Sequence, residues 1–393
     1  MEKTSTLASS SDSSQSADVV AVAQPLPVRR LESLDALRGF DMFWIAGGEE
    51  IFHILAKVTG SAWAVFLAEQ FTHVEWNGFR PYDCIFPLFL FMAGVSTPFA
   101  VGSRLHRGVS RGELARKVIT RGLLLVLLGI IYNNGLFERS IDEMRFPSVL
   151  GRIGLAGMFA QLIYIYFPNQ RAQYGWFAGI LIVYWALMTL VPVPGCGAGI
   201  LTKECSLAGY IDRTVLPGRL YLGVHDPEGL FSTIPAIATA LLGIFAGTLL
   251  RSEGRMAHRN EKTLWLLGGG VACLVVGYLW GLFFPVNKNL WTSSFVLVAG
   301  GWSTLMLALF YWVIDVQQVK GWSFFFTVIG MNSILIYFAS HVIDFEHTAN
   351  YLFGGILKAF SQPIQEIGAV VGILTVKWLF LYFLYRKKAF LRV

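Results

Sequence analysis

The sequence predicts an all-α fold, a polytopic integral membrane helical bundle of about 10–11 transmembrane helices. Three observations carry this. Of 393 residues, 55% are hydrophobic and only 14% are charged, against about 25% charged in a soluble domain, so there is little material for a water-facing surface. The mean hydropathy is +0.57. Apolar runs near or above the ~18-residue spanning length recur from residue 36 to residue 385. A transmembrane β-barrel would need alternating segments of about ten residues, and runs such as "GLLLVLLGIIY" do not alternate.

Taken in order, the first 28 residues, "MEKTSTLASSSDSSQSADVVAVAQPLPV", are Ser-rich and lack aromatic side chains. They bury too little apolar area to order themselves, and "VVAVA" is too short for a signal-peptide core. A disordered cytoplasmic tail (1–28) and one transmembrane domain (29–393) are expected. Spans are expected near 36–57, 80–103, 114–134, 149–167, 174–193, 230–250, 263–284, 291–314, 321–344 and 366–385. "YLFGGILKAF" (351–360) is too short to cross and suits a re-entrant or interfacial element.

Charge sets the orientation. Arg29 and Arg30, "SRLHRGVSRGELARKVITR" (103–121), "RSEGRMAHRNEK" (251–262) and "RKKAFLRV" all fall on one side. That side is read as cytoplasmic, with both termini on it. The net charge of +6 therefore belongs to membrane orientation, and no nucleic-acid partner is expected. The longest outward loop, 194–229, holds Cys196 and Cys205, which could pair in an oxidising compartment or stand as two free thiols. Cys84 and Cys273 lie within spans, where small packing roles suit them. No CxxC pair, phosphate-binding Gly-rich loop or dinucleotide fingerprint is present. The glycines of "GIFAG" (243–247) share a helix face and favour close helix packing.

An ionisable group inside a span is a functional candidate by default. Asp35, Arg38 and Asp41 enter the first span; Asp35 and Arg38 sit at i,i+3 spacing, suited to an ion pair, and Arg38 is also a candidate ligand-binding group. Glu49 and Glu50 follow near the outer end. The stretch "FTHVEWNGFRPYDCIFP" (71–87) is denser in polar groups than a membrane border should be. Its His73 can exchange a proton near neutral pH or accept an acyl group. Glu75 or Asp83 could orient the ring, as the third member of a triad does, and Trp76 and Asn77 offer donors for a carbonyl or sugar hydroxyl. A second polar group, "FASHVIDFEHTAN", carries His341, Asp344, Glu346 and His347. It could bind a metal or be a solvated helix end; the irregular spacing and the lack of a cysteine speak against a metal, and none is expected. Arg152 could bind a ligand phosphate or bridge helices, and Asn332 is better suited to bridging.

Six stretches together, "RLESLDALRGFDMF" (30–43), "HVEWNGFRPYDCIFPLFLFMAGVS" (73–96), "RFPSVLGRIGL" (145–155), "DPEGLFSTIPAIATALLG" (226–243), "KNLWTSSFVLVAGGW" (288–302) and "GMNSILIYFASH" (330–341), resemble the heparan-α-glucosaminide N-acetyltransferase-like family of transmembrane acyltransferases, bacterial members included. They occur in the family's order. The resemblance implies acetyl transfer from cytoplasmic acetyl-CoA to an amino sugar across a membrane. It places the family's active-site histidine at His73 and its aspartate at Asp83. Two positions depart from the family pattern: Glu49 stands near a position usually held by asparagine, and Gly151 stands where glutamine is common.

The expected function is therefore transfer of an acetyl or acyl group from acyl-CoA to an extracytoplasmic amino sugar or glycan. His73, Asp83 and Glu49 are the catalytic candidates; Trp76, Asn77, Arg38, Arg152, Asn332 and His341 are the substrate-binding ones. Acetyl-CoA is the expected donor, and membrane lipids and a second copy of the chain in a homodimer are the other expected partners. The protein is placed in a bacterial cytoplasmic membrane. The rival reading is a transporter or flippase for a sugar or glycolipid, which needs the same spans and aromatic residues; internal repeats would favour it, and none is evident. A scaffold without catalysis would bind neither CoA nor sugar.

Overall fold

In a computed structural model of the chain, residues 31–135, 139–252 and 258–391 are described. The expected tail at 1–28, Arg29 and Arg30, the middle of the basic loop 251–262 and the last two residues lie outside them. Helix α1 (Glu32–Phe43) passes through a π turn, Trp44–Gly48, into α2 (Glu50–Thr59), and α3 (Ala62–Gln70) follows. A 3-10 turn (Pro81–Cys84), α4 (Ile85–Thr97), a π turn (Pro98–Gly102) and α5 (Ser103–His106) form one continuous apolar segment. Then come α6 (Arg111–Asn134), α7 (Val149–Tyr166) and α8 (Gln170–Leu190). A two-strand ribbon, β1 (Pro192–Val193) with β2 (Gly197–Ala198), and α9 (Leu207–Val215) occupy the long loop. The chain continues through α10 (Thr233–Arg251), α11 (Arg259–Gly281), α12 (Ser293–Phe310), α13 (Ser323–Gly330), α14 (Ser333–Val342), α15 (Phe345–Leu357) and α16 (Gln362–Arg386).

Among the described residues, seven helices are long and apolar enough to cross a membrane, or eight if α13 and α14, bent by 68° across a short break, count as one broken span. The expected span at 36–57 is not a continuous helix. Gly47 takes a φ of +112°, which only glycine adopts readily, and the chain turns there, leaving α1 with 12 residues. The expected span at 114–134 is present as α6, 24 residues long, but Arg111, Glu113, Arg116, Lys117 and Arg121 lower the hydropathy of its first half. The segment at 351–360 falls largely in α15, whose 13 residues are too few to cross.

Short polar caps fix where helices start. Ser148 accepts the Gly151 N–H at 2.9 Å to open α7, and Asp344 accepts the His347 N–H at 2.8 Å to open α15; both satisfy an otherwise orphaned donor. Inside the bundle, α4 and α10 meet with their backbones almost touching. A Cβ on Gly243 would collide with the Phe91 carbonyl, and one on Gly247 with the Val95 carbonyl. The glycine pair expected to favour close packing does so by removing the side chains in between. Buried apolar residues of α1, α4, α7, α10 and α12 fill the centre.

The connecting segments meet in two groups. At one, the Trp76 indole donates to the Leu201 carbonyl at 2.7 Å and the Tyr184 hydroxyl to the Leu290 carbonyl at 2.6 Å. At the other, the Ser33 N–H donates to Asp315 at 3.2 Å, Lys320 pairs with Glu32 at 3.1 Å, and Arg251 donates to the Pro98 carbonyl at 2.6 Å. The first end carries His73; the second carries the basic residues of α5 and early α6.

Candidate active site

The loop after α3 turns back into the bundle at Pro81, and this turn buries Asp83, which is 1% exposed. A carboxylate so placed needs donors. It has the Arg80 N–H at 3.0 Å and, on its other oxygen, Nδ1 of His73 at 2.8 Å. The pairing fixes the ring: Nδ1 carries the hydrogen toward Asp83, and Nε2 is left with its lone pair. Tyr82 packs against the imidazole, with ring centroids 4.7 Å apart, and its hydroxyl is coupled to Glu49. Glu49 thus adjoins the site through Tyr82.

A cation absent from the expected set completes the group. Nζ of Lys288 lies 2.9 Å from Nδ1 and 3.0 Å from Nε2 of His73, and 3.6 Å from Asp83 Oδ1. The loop between α11 and α12 is zipped onto the His73 loop. Gly78 N–H donates to the Val286 carbonyl at 2.8 Å, Asn287 to the Asn77 side-chain oxygen at 3.0 Å and Asn289 to the Glu75 carbonyl at 3.2 Å. Lys288 lies between the two asparagines. Burial lowers its pKa, and Asp83 and Glu228 work against that fall.

His73, Tyr82, Lys288 and Glu228 stand around a cavity of about 190 Å³ otherwise lined by Met42, Ile45, Ile85, Phe86, Phe89, Val149, Leu150, Ile153, Ile334 and Tyr337. The wall is thus apolar and the reactive groups are few, which is the make-up of a small-molecule site. Glu228 is held by Arg145, which also pairs bidentately with buried Asp226, at 2.8 Å and 2.7 Å. Burial opposes the Arg145 charge, but these two carboxylates outweigh it and hold its pKa above the ordinary value.

The other expected residues take varied places. Trp76 and Asn77 adjoin His73 in sequence, yet the indole is spent on Leu201 and the Asn77 oxygen on Asn287, so both build the loop scaffold. Arg152 is 2% exposed, donates to the Gly229 carbonyl at 3.2 Å and to Ser232, and lies over the Trp291 ring at 4.8 Å. It anchors the segment that carries Glu228. Asn332 donates to the Ala389 carbonyl at 3.1 Å and accepts the Leu391 N–H at 3.2 Å, tying the chain after α16 to the α13–α14 break. His341 packs against Tyr132 with ring centroids 4.5 Å apart and lines a neighbouring cavity of about 480 Å³ with Glu50, Asp344, Glu346 and Lys377. Arg38 pairs with Asp35 at 3.4 Å, as its spacing suggested, and also reaches Ser96. Ser96 lines a cavity of about 130 Å³ with Arg104, Lys117, Arg121 and Gln161 at the basic end. Cys196 and Cys205 form a disulfide, and Cys84 is buried against Ser303 and the Ala299 carbonyl. Among the described residues no group of three or more His, Cys, Asp or Glu side chains is placed to hold a metal.

The fold and site define an integral membrane helical protein whose histidine, held by a buried carboxylate and faced by a lysine, stands at the mouth of an apolar cavity. The chain is 29% identical to human heparan-alpha-glucosaminide N-acetyltransferase over 424 aligned positions, covering 93% of this chain and 60% of that protein. It is 29% identical to the mouse protein of the same name over 382 positions, covering 82% of this chain and 56% of the relative. No protein-family model matches the chain. The similarity over most of the chain supports the heparan-α-glucosaminide N-acetyltransferase-like family that the motifs suggested. The chain spans less than two thirds of the length of these relatives.

Proposed function

We propose that residues 29–393 act as one transmembrane acetyltransferase domain that moves an acetyl group from acetyl-CoA to an amino sugar or glycan, with His73 at the reaction centre. The observation that carries this reading is the His73–Asp83 pair at the mouth of an apolar cavity. One face of α4 supports the donor path. Phe86 and Phe89 line the His73 cavity, while Ala93, Ser96 and Ala100 line the basic one. These positions recur every three or four residues, so they share a helix face. From Phe86 to Ser96 that face is about 15 Å long at 1.5 Å per residue. A pantetheine arm laid along it would bring its thioester to His73 with its phosphates among Arg104, Lys117 and Arg121.

At the reaction centre, Asp83 holds Nδ1–H and leaves Nε2 to act. Nε2 takes either the proton of the acceptor amine or the acetyl group itself. In both cases the C–S bond breaks, a C–N bond forms on the acceptor, and the acceptor's proton ends on the CoA thiol. The neighbouring cavity, with Glu50, Asp344 and Glu346, suits an acceptor that arrives as an ammonium. The sugar acceptor is suggested by the names of the relatives, which are longer than this chain. By charge, the basic end is cytoplasmic and the His73 end lies across the membrane.

The test uses the full chain purified in detergent with labelled acetyl-CoA and a panel of amino sugars and glycans. We expect acetylated sugar and free CoA from the wild type. His73→Ala should lose ~10²–10⁴-fold in rate while still binding acetyl-CoA, and Asp83→Asn should lose less. Acetyl-histidine trapped without acceptor would mark the covalent route. Sugar uptake into vesicles without any CoA release would overturn the reading in favour of a transporter.

A further inference from the structure

We propose that Lys288 is a second catalytic group: its ammonium, placed over the imidazole of His73, donates to the carbonyl oxygen of an acetyl thioester once the donor reaches the cavity. This rests on the acetyl-transfer reading above. The geometry starts from the ring. Nδ1 faces Asp83 at 2.8 Å and carries its hydrogen there. Lys288 Nζ lies about equally far from both ring nitrogens, at 2.9 Å and 3.0 Å; the two nitrogens flank a ring carbon, so the ammonium stands over the imidazole face, beside Nε2 but clear of its in-plane lone pair.

Nε2 is the atom that must act in the reaction, and a lysine over the ring leaves its in-plane lone pair open. A partner lies close by. Attack on the acetyl carbon, by Nε2 or by an acceptor nitrogen that Nε2 deprotonates, pushes the C=O π pair onto oxygen. That oxygen stands one bond from a carbon in reach of Nε2, and so within reach of Nζ. Donation by Nζ stabilises the oxyanion; collapse re-forms C=O and breaks C–S, the CoA thiolate leaves and ends with the proton given up by the acceptor, and the lysine proton count is unchanged. A fixed positive donor in an apolar, partly desolvated cavity is worth far more than one in water.

The surroundings fit a positioned catalytic group better than an incidental cation. Lys288 lines the cavity itself and is 18% exposed at its side chain. Asn287 and Asn289 pin the backbone on both sides of it to the loop that bears His73. Its carboxylate neighbours are few: Asp83 at 3.6 Å is already engaged with His73, and Glu228 is engaged with Arg145.

Two readouts test this on the full-length protein. The first is carbethoxylation of His73 by diethyl pyrocarbonate, followed by mass spectrometry, which needs no turnover. Lys288→Met should slow modification of His73 several-fold, because the reagent's carbonyl passes through the same kind of oxyanion, and Lys288→Arg should recover part of the rate. The second is steady-state transfer from acetyl-CoA to glucosamine. Lys288→Met should lower kcat by ~10²–10³-fold, the usual loss of one oxyanion donor, with KM for acetyl-CoA within a few-fold of wild type; Lys288→Arg should recover part of kcat. Lys288→Gln replaces the Met variant if the latter is not monodisperse. An unchanged His73 modification rate, a wild-type kcat in Lys288→Met, or a loss carried by KM alone would each overturn the role of Lys288. A wild type that releases no CoA would instead strike the acetyl-transfer reading, and the role of Lys288 with it.

Discussion

Two buried residues near the site, Asp212 and His225, titrate against each other. Both are fully buried in the loops between α8 and α10. Burial pushes the Asp212 carboxyl up to about 6, with the Phe231 N–H and Arg152 only partly offsetting it. Burial also pushes the His225 imidazole down to about 4, against its hydrogen bond to the Asn289 carbonyl. The signs follow from proton counts. Between pH 4 and 6 folded Asp212 holds a proton that the unfolded chain has released, so its contribution falls as pH rises. Between pH 4 and 6.5 unfolded His225 holds a proton that the folded chain lacks, so its contribution grows as pH rises. At about 1.4 kcal/mol per pH unit each is on the order of 3 kcal/mol, and they nearly cancel. Thermal unfolding in detergent should therefore change little with pH on account of this pair. Asp212→Asn should unmask a stability that climbs from pH 4 to 6.5, and His225→Phe one that declines; parallel profiles in the two variants would refute the opposition. At this scale the sequence was partly legible. His73 and Asp83 lie ten positions apart within one motif, so their pairing could be anticipated. Lys288 is 215 positions away and meets the ring only because two distant loops zip together; the single signal was a lone basic residue in the short loop 282–292. Asp212 and His225 gave no local pattern, because burial and not spacing shifts them.

Helix elements were the most legible feature, since apolar run length and helix period are local properties of the chain. The exceptions are breaks. Gly47 and Gly48 ended the first expected span early, although nothing in its hydropathy marked the stop, and the α13–α14 bend of 68° left another span in two pieces. The "GIFAG" glycines could be read as a contact face from spacing alone, but their partner could not: α4 is identified only by the near contact of its Phe91 and Val95 carbonyls. Because backbone atoms stand where the side chain would go, they cannot rotate away. Gly243→Val should therefore force α4 and α10 apart and cost at least the ~1–3 kcal/mol of an overpacked core, read as a lower detergent unfolding temperature and a slower transfer rate. Gly179, partly buried but with open space where a Cβ would stand, should tolerate the same change. Equal stability of the two variants would show that the α4–α10 approach is looser than it stands here.

For the whole molecule, sidedness ties the chemistry to the membrane. Charge was readable along the sequence, whereas the run of one α4 face past both cavities required the packed bundle. If the His73 end lies outside, the Cys196–Cys205 disulfide should resist a membrane-impermeant maleimide in intact cells until an impermeant reductant is added, and label afterwards; labelling only after lysis would reverse the orientation. The opposite end makes the complementary prediction. Arg104, Lys117 and Arg121 line one small cavity; Lys117 is paired with Glu113 at 2.6 Å, so the two arginines carry most of the charge the cavity offers to an anion. Hydrogen bonds to charged groups are worth roughly 1.5–3 kcal/mol. Arg121→Gln should accordingly weaken acetyl-CoA binding ~10- to 100-fold, while His73→Ala leaves it unchanged. The loss should be smaller for a dephospho analogue lacking the 3′-phosphate if Arg121 meets that group, and equal if it meets the diphosphate. Calorimetry on both variants with both ligands decides the matter: a wild-type affinity in Arg121→Gln would remove the basic cavity from the donor path and require the phosphates to lie elsewhere.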